Sequence, residues 1–159
     1  RKGCLEAYAS ATALIRDTRE AAKNNPDSYL YKICDGDLEK LNGAYYIGTE
    51  DNPFFALYKI DQSATSVKVS DMTEVILTDA LSSPVLTEVE FGKMVRIIAP
   101  VAFNESPKLK AVTFVNPFGW EFAPTNGGKV VTLKKELINP KKSAKLLRGK
   151  GYDKHWKRK

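Results

Sequence analysis

From Tyr29 to Leu137 the chain is a succession of short β-patterned runs broken by turn residues, with no helix-length segment between them. The runs are YLYKIC, AYYIG, FFALYKI, SVKVSD, TEVILTD, TEVEFGKMVRIIAPVAF, LKAVTFV, WEF and KVVTLKKEL, punctuated by TEDNP, SSP, NESP, NPFG and TNGG. β-Branched and aromatic residues suit a pleated, half-buried surface, and Gly, Pro, Asn and Ser clusters mark the turns between strands. Asn126-Gly127-Gly128, lying between Phe122 and Val130, supplies residues that accept positive φ and predicts a hairpin. Parallel strands are usually joined by helical crossovers, so the lack of helix-length connectors predicts antiparallel pairing. No internal repeat or low-complexity tract stands out.

Ahead of the strands, Leu5, Tyr8, Ala11, Ile15 and Ala22 recur at helical spacing and predict an amphipathic helix over 4–24. Pro26 disfavours helical geometry at Asn25 and closes it. Asp37 is expected to cap a single helical turn that Gly43 ends. The expected fold class is therefore α+β: an N-terminal amphipathic helix, then a mainly antiparallel β-sheet or partly open barrel, then a basic C-terminal tail. The chain divides at INPKKS into a body (1–139) and a tail (140–159), because apolar residues thin out afterwards to Leu146, Leu147, Tyr152 and Trp156.

Charge sharpens that division. The net charge of +6 combines two unequal parts. From Lys129 onward there are twelve Lys or Arg against Glu136 and Asp153, a balance of +10, while the rest carries −4. Such asymmetry predicts a polyanionic partner for the basic end. The 43% hydrophobic and 28% charged composition is that of an ordinary globular domain. No apolar run approaches the roughly 18 residues of a membrane span, and Glu6 and Asp17 argue against a signal peptide, so no membrane partner is expected. The chain starts at Arg1 and not at Met, and trimming there would suit a particle component.

Catalytic and metal patterns are weak. Asp35, Asp37 and Glu39 resemble the opening of a calcium loop, but Lys40 stands where glycine is needed and Tyr46 where a bidentate Glu is needed. Glu88, Glu90 and Lys93 suggest a metal-dependent nuclease centre, yet a three-residue step places Glu90 and Lys93 on opposite strand faces. Cys4 and Cys34 form no C-x-x-C pair, and His155 is the only histidine. No cofactor, catalytic residue or metal ligand is assigned. The YY and FF doublets are candidates for a base-stacking platform, but the cations that such a platform needs are scarce beside them.

The basic end carries the functional expectation. Lys141, Lys142, Lys145, Arg148, Lys150, Lys154, Lys157, Arg158 and Lys159 are placed to neutralise phosphates, with Tyr152, His155 and Trp156 interleaved and the two aromatic rings available to stack on bases. The expected function is a non-enzymatic component of a large assembly, such as a virus or phage particle or a ribonucleoprotein. Its tail would bind nucleic acid or an acidic protein surface, and its body other subunits. The expected location is cytoplasmic or within such a particle. The alternatives are a metal-dependent enzyme acting on nucleic acid and a small regulatory protein that binds an acidic partner.

Overall fold

The computed structural model describes residues 20–21, 24–28, 40–49 and 51–159. Most of the expected N-terminal helix, both cysteines and the Asp35, Asp37 and Glu39 cluster lie outside them. Eleven strands are described: β1 (Lys40–Leu41), β2 (Ala44–Ile47), β3 (Ala56–Ile60), β4 (Ser66–Lys68), β5 (Val75–Ile76), β6 (Glu88–Phe91), β7 (Ile97–Ile98), β8 (Ala111–Phe114), β9 (Trp120–Pro124), β10 (Val131–Thr132) and β11 (Lys154–Arg158). Helix α1 (Pro140–Arg148) lies between β10 and β11.

These strands form two sheets. One has eight strands in the order β1-β2-β3-β5-β7-β11-β9-β10, and the other has three in the order β4-β6-β8. The chain alternates between the sheets, so that β3, β5 and β7 stack in parallel on one side while β4, β6 and β8 stack in parallel on the other. This is a short solenoid. Each coil lays one rung on each sheet, and successive rungs bury equivalent residues against one another.

The expected antiparallel architecture is thereby corrected. The centre is parallel, and the crossover from β5 to β7 is made by a strand of the opposite sheet, where a βαβ unit would use a helix. The absence of helical connectors excludes βαβ units but not a coil. The expectation of no internal repeat also fails. Leu86-Thr87-Glu88-Val89-Glu90-Phe91 and Leu109-Lys110-Ala111-Val112-Thr113-Phe114 share the pattern L-x-x-V-x-F and pair rung on rung. Ala64, Val67 and Val69 are the same positions one coil earlier.

The core lies between the sheets. Val67, Val89 and Val112 form an inward column on the smaller sheet, and Leu57, Ile76 and Ile98 form another on the larger one; all six are at most 3% exposed. Alternation sends Lys68, Glu90 and Thr113 outward. Two buried serines satisfy the polar groups at one corner: the Ser83 N–H donates to Ser106 Oγ (3.0 Å) and the Ser106 hydroxyl to the Leu81 carbonyl (2.7 Å). Asp79 and Val101, each three residues beyond an inward isoleucine, both turn the corner with left-handed backbone (φ 57° and 53°). That conformation is unfavourable for β-branched Val101, whose N–H is held by the Tyr152 carbonyl at 2.8 Å.

Both ends of the stack are closed by antiparallel pairs. At one end β1 and β2 form a hairpin whose Asn42-Gly43 turn has positive φ at both positions (51° and 75°), the two-residue geometry that Asn-Gly favours. Gly43 therefore belongs to a hairpin and does not end a helical turn. At the other end the hairpin expected around Asn126-Gly127-Gly128 joins β9 to β10. The basic C-terminal tail of the expected fold class is corrected as well. β11 runs antiparallel to both neighbours and sits between β7 and β9, inside the larger sheet. Trp156 points inward from it, 1% exposed, and donates its indole N–H to the Gly151 carbonyl at 2.8 Å. A line of ring contacts runs through the core from Phe91 to Phe114, Trp120 and Trp156.

Candidate functional site

Helix α1 is set by its first residues. The Asn139 side chain accepts from the N–H groups of Lys141 and Lys142 (3.0 and 3.2 Å), and Pro140 follows at the first helical position, where its missing N–H is no loss. Ser143, Ala144 and Leu147 are buried on one side of the helix, which packs along β8. The remaining side carries Lys141, Lys142, Lys145 and Arg148, all exposed, and Lys150 follows in the next turn. Lys145 and Arg148 lie in the last turn, where the helix dipole favours cations.

Around this side the surface is hollowed. A depression of about 400 Å³ is lined by Leu109, Lys110, Lys141, Lys145 and Arg148 among others. Arg148 also borders a second one, of about 480 Å³, with Phe103, Pro107 and Tyr152, while Lys145 borders a third with Lys142 and Lys150. The guanidinium of Arg148 is anchored by an N–H donated to the Leu109 carbonyl at 3.0 Å. The Tyr152 ring is oriented by its hydroxyl, which donates to Asn104 Oδ1 at 2.7 Å.

No described carboxylate lies within ion-pair distance of Lys110, Lys141, Lys142, Lys145, Arg148 or Lys150. Glu136 lines the third depression, but its carboxylate faces backbone. It accepts from the N–H groups of Lys134 and Lys135 (2.6 and 2.9 Å). Backbone N–H donation, chiefly from Glu136 itself and then Lys134, holds its pKa below the usual carboxylate value.

The structure divides the expected site residues into two groups. Lys141, Lys142, Lys145, Arg148, Lys150 and Tyr152 come together around α1. The others belong to β11 and its ends. Lys154 pairs with Asp153 (2.7 Å), whose carboxyl is held low by that ammonium, and Lys159 pairs with Glu121 (2.9 Å). Arg158 donates to the Lys93 carbonyl at 3.2 Å. His155 and Lys157 are exposed on the outer face of the larger sheet. Trp156 is enclosed between Phe122 and Trp120 and has no open ring face for a base.

Lys110 completes the cationic group, and sequence reading missed it because it lies far from the basic end. The nuclease arrangement does not assemble. Glu90 pairs with Lys68 (2.8 Å) and Lys93 with Asp71 (3.1 Å), each across neighbouring coils. Among the described residues no three His, Cys, Asp or Glu side chains converge as a metal site, and no helix is long and apolar enough to cross a membrane. Tyr45 and Tyr46 face opposite sides of the sheet, Tyr46 being fully buried and Tyr45 carrying the Lys59 ammonium over its ring at 4.3 Å. Compared with protein families, curated proteins and solved structures, the chain matches none.

Proposed function

We propose that this protein is a non-enzymatic binding component of a larger assembly, and that the exposed side of α1 with Lys110 engages a polyanion. One observation carries the reading. Lys68, Lys93 and Arg96 on the coils each pair with a carboxylate of the neighbouring coil, whereas Lys110, Lys141, Lys142, Lys145, Arg148 and Lys150 gather in one place with no carboxylate in reach among the described residues. Unpaired cations gathered around a concave surface gain most from an external polyanion, through phosphate neutralisation and counterion release. Solenoids present such surfaces on a rigid frame. Contacts with other subunits are the role proposed for the exposed apolar residues Met72, Met94, Val115 and Phe118, carried by the turns between the two sheets. A nucleic-acid-packaging particle and a ribonucleoprotein are the assemblies this chemistry suits.

The test is a salt titration of the full chain on a labelled duplex. With about four phosphates engaged, log K should fall against log salt with a slope of roughly −3.6. Lys141→Ala combined with Lys145→Ala should weaken binding and make the slope shallower by about two. Absence of binding at low salt by the intact protein would refute the reading.

A further inference from the structure

The two depressions that meet at Arg148 differ in character. The one with Lys110, Lys141 and Lys145 is cationic, whereas the other is lined by Pro84, Phe103, Pro107 and Tyr152, with Arg148 forming the border between them. We infer that this composite groove takes single-stranded nucleic acid, with a base in the apolar depression and the adjoining phosphates on Lys110, Lys141, Lys145 and Arg148. The inference rests on the polyanion reading above and specifies which polyanion.

Three features favour that ligand. A volume of about 480 Å³ falls within the roughly 300–1,000 Å³ of small-ligand sites, and the lining is apolar apart from Arg148, Glu105, Ser106 and the Tyr152 hydroxyl. Tyr152 is half-buried and its hydroxyl is fixed on Asn104, so its ring is held in place before any ligand arrives. Arg148 adds a planar cation, anchored on the Leu109 carbonyl, at the point where base and phosphate would meet. Glu105 is the one carboxylate on the apolar depression among the described residues. It repels phosphate there and directs the backbone to the lysine side. A duplex keeps its bases stacked and paired, so it offers this groove only phosphates and leaves the apolar half unfilled. An acidic peptide would satisfy the lysines but lacks a flat, uncharged ring beside each negative charge.

The experiment compares a fluorescent single-stranded oligonucleotide with a duplex carrying the same number of phosphates, by anisotropy on the full chain at low salt. Single strand is expected to bind about tenfold more tightly, the order of one stacked base. Tyr152→Leu should abolish that preference, and a cooperative denaturant transition of the variant, measured alongside, reports that it is folded. Tyr152→Phe, which retains the ring, should keep it. Equal affinity of the intact protein for the two forms overturns the inference but leaves the polyanion reading standing, and failure to bind either form overturns both. Photocrosslinking of the unmodified protein to a 4-thiouridine oligonucleotide is a second measurement, independent of how the variants fold. Crosslinks at residues 103–107 or 152 support the groove, and crosslinks confined elsewhere overturn it.

Discussion

The stacked coils and the segment that closes them at the C-terminal end solve the same packing problem in opposite ways. In the coils, β3 to β8, each strand pairs in parallel with the equivalent strand of the next coil, and the same positions return to the core at every rung. Their charges follow this repetition. Lys68 pairs with Glu90, Lys93 with Asp71 and Arg96 with Glu74, each between one coil and the next. In the closing segment nothing repeats. β9 is separated from β7 by a strand that arrives from beyond α1 and runs the other way, and the charges of the helix face outward unpaired. Lys68, Lys93 and Arg96 each join one coil to the next, while Lys141, Lys142, Lys145 and Arg148 on α1 pair with no described carboxylate.

The comparison is tested most severely by Trp156→Ala. A buried aromatic truncated to alanine costs about 3–5 kcal/mol, a large part of the roughly 5–15 kcal/mol of a typical domain. Because Trp156 contacts Trp120 and Phe122 and lies beside Ile98 of the coils, the loss should appear as one cooperative transition at lower denaturant concentration. Two separate transitions would show that the closing segment and the coils are distinct units.

A smaller effect probes the opposite end. Tyr46 is fully enclosed and accepts the Ser70 N–H at 3.1 Å, and burial pushes its pKa from 10.0 up to about 12. The neutral phenol is therefore favoured in the folded state. Its contribution is complete below pH 10, and it is lost as pH rises from 10 to about 12, where only the unfolded chain readily ionises. Denaturant unfolding across that window should show stability falling by about 2–3 kcal/mol, from two pKa units at about 1.4 kcal/mol each. Tyr46→Phe should flatten the fall, and an equal fall in that variant would locate the alkaline sensitivity elsewhere.

Asn139→Ala gives the smallest change. Loss of an N-cap side chain costs about 1 kcal/mol, measurable as a modest drop in melting temperature. The proposed binding face rests on α1 being formed, so a larger loss of polyanion affinity than of stability would tie the helix start directly to that proposal.

Parts of this were legible in the residues. The strands were visible as alternating apolar runs, and the Asn126-Gly127-Gly128 hairpin was visible through its turn residues. The cations of α1 were visible as a basic stretch. Parallel stacking was not, because the rungs are only two to five residues long and equivalent positions vary among Ala64, Leu86 and Leu109, or Val69, Phe91 and Phe114. Asn139-Pro140 suits a boundary and equally a helix start, and the structure uses it as the start of α1. Leu147 and Trp156 lie scattered among basic residues in the sequence, yet their burial makes the segment part of the core. Trp156 carried the one local warning, since an indole gains most when enclosed.

The position of β11 also imposes an order on biosynthesis. A chain emerging from the ribosome can stack β3 to β8 as each coil appears, because every partner has been made just before. The larger sheet, however, cannot close until residues 154–158 have emerged, and until then β7 and β9 expose backbone edges that β11 will later satisfy. Late pairing over long sequence separation is slow, and open edges invite association with other strands. Until β11 arrives, the chain therefore carries two unpaired strand edges, on β7 and β9, that only its last strand satisfies.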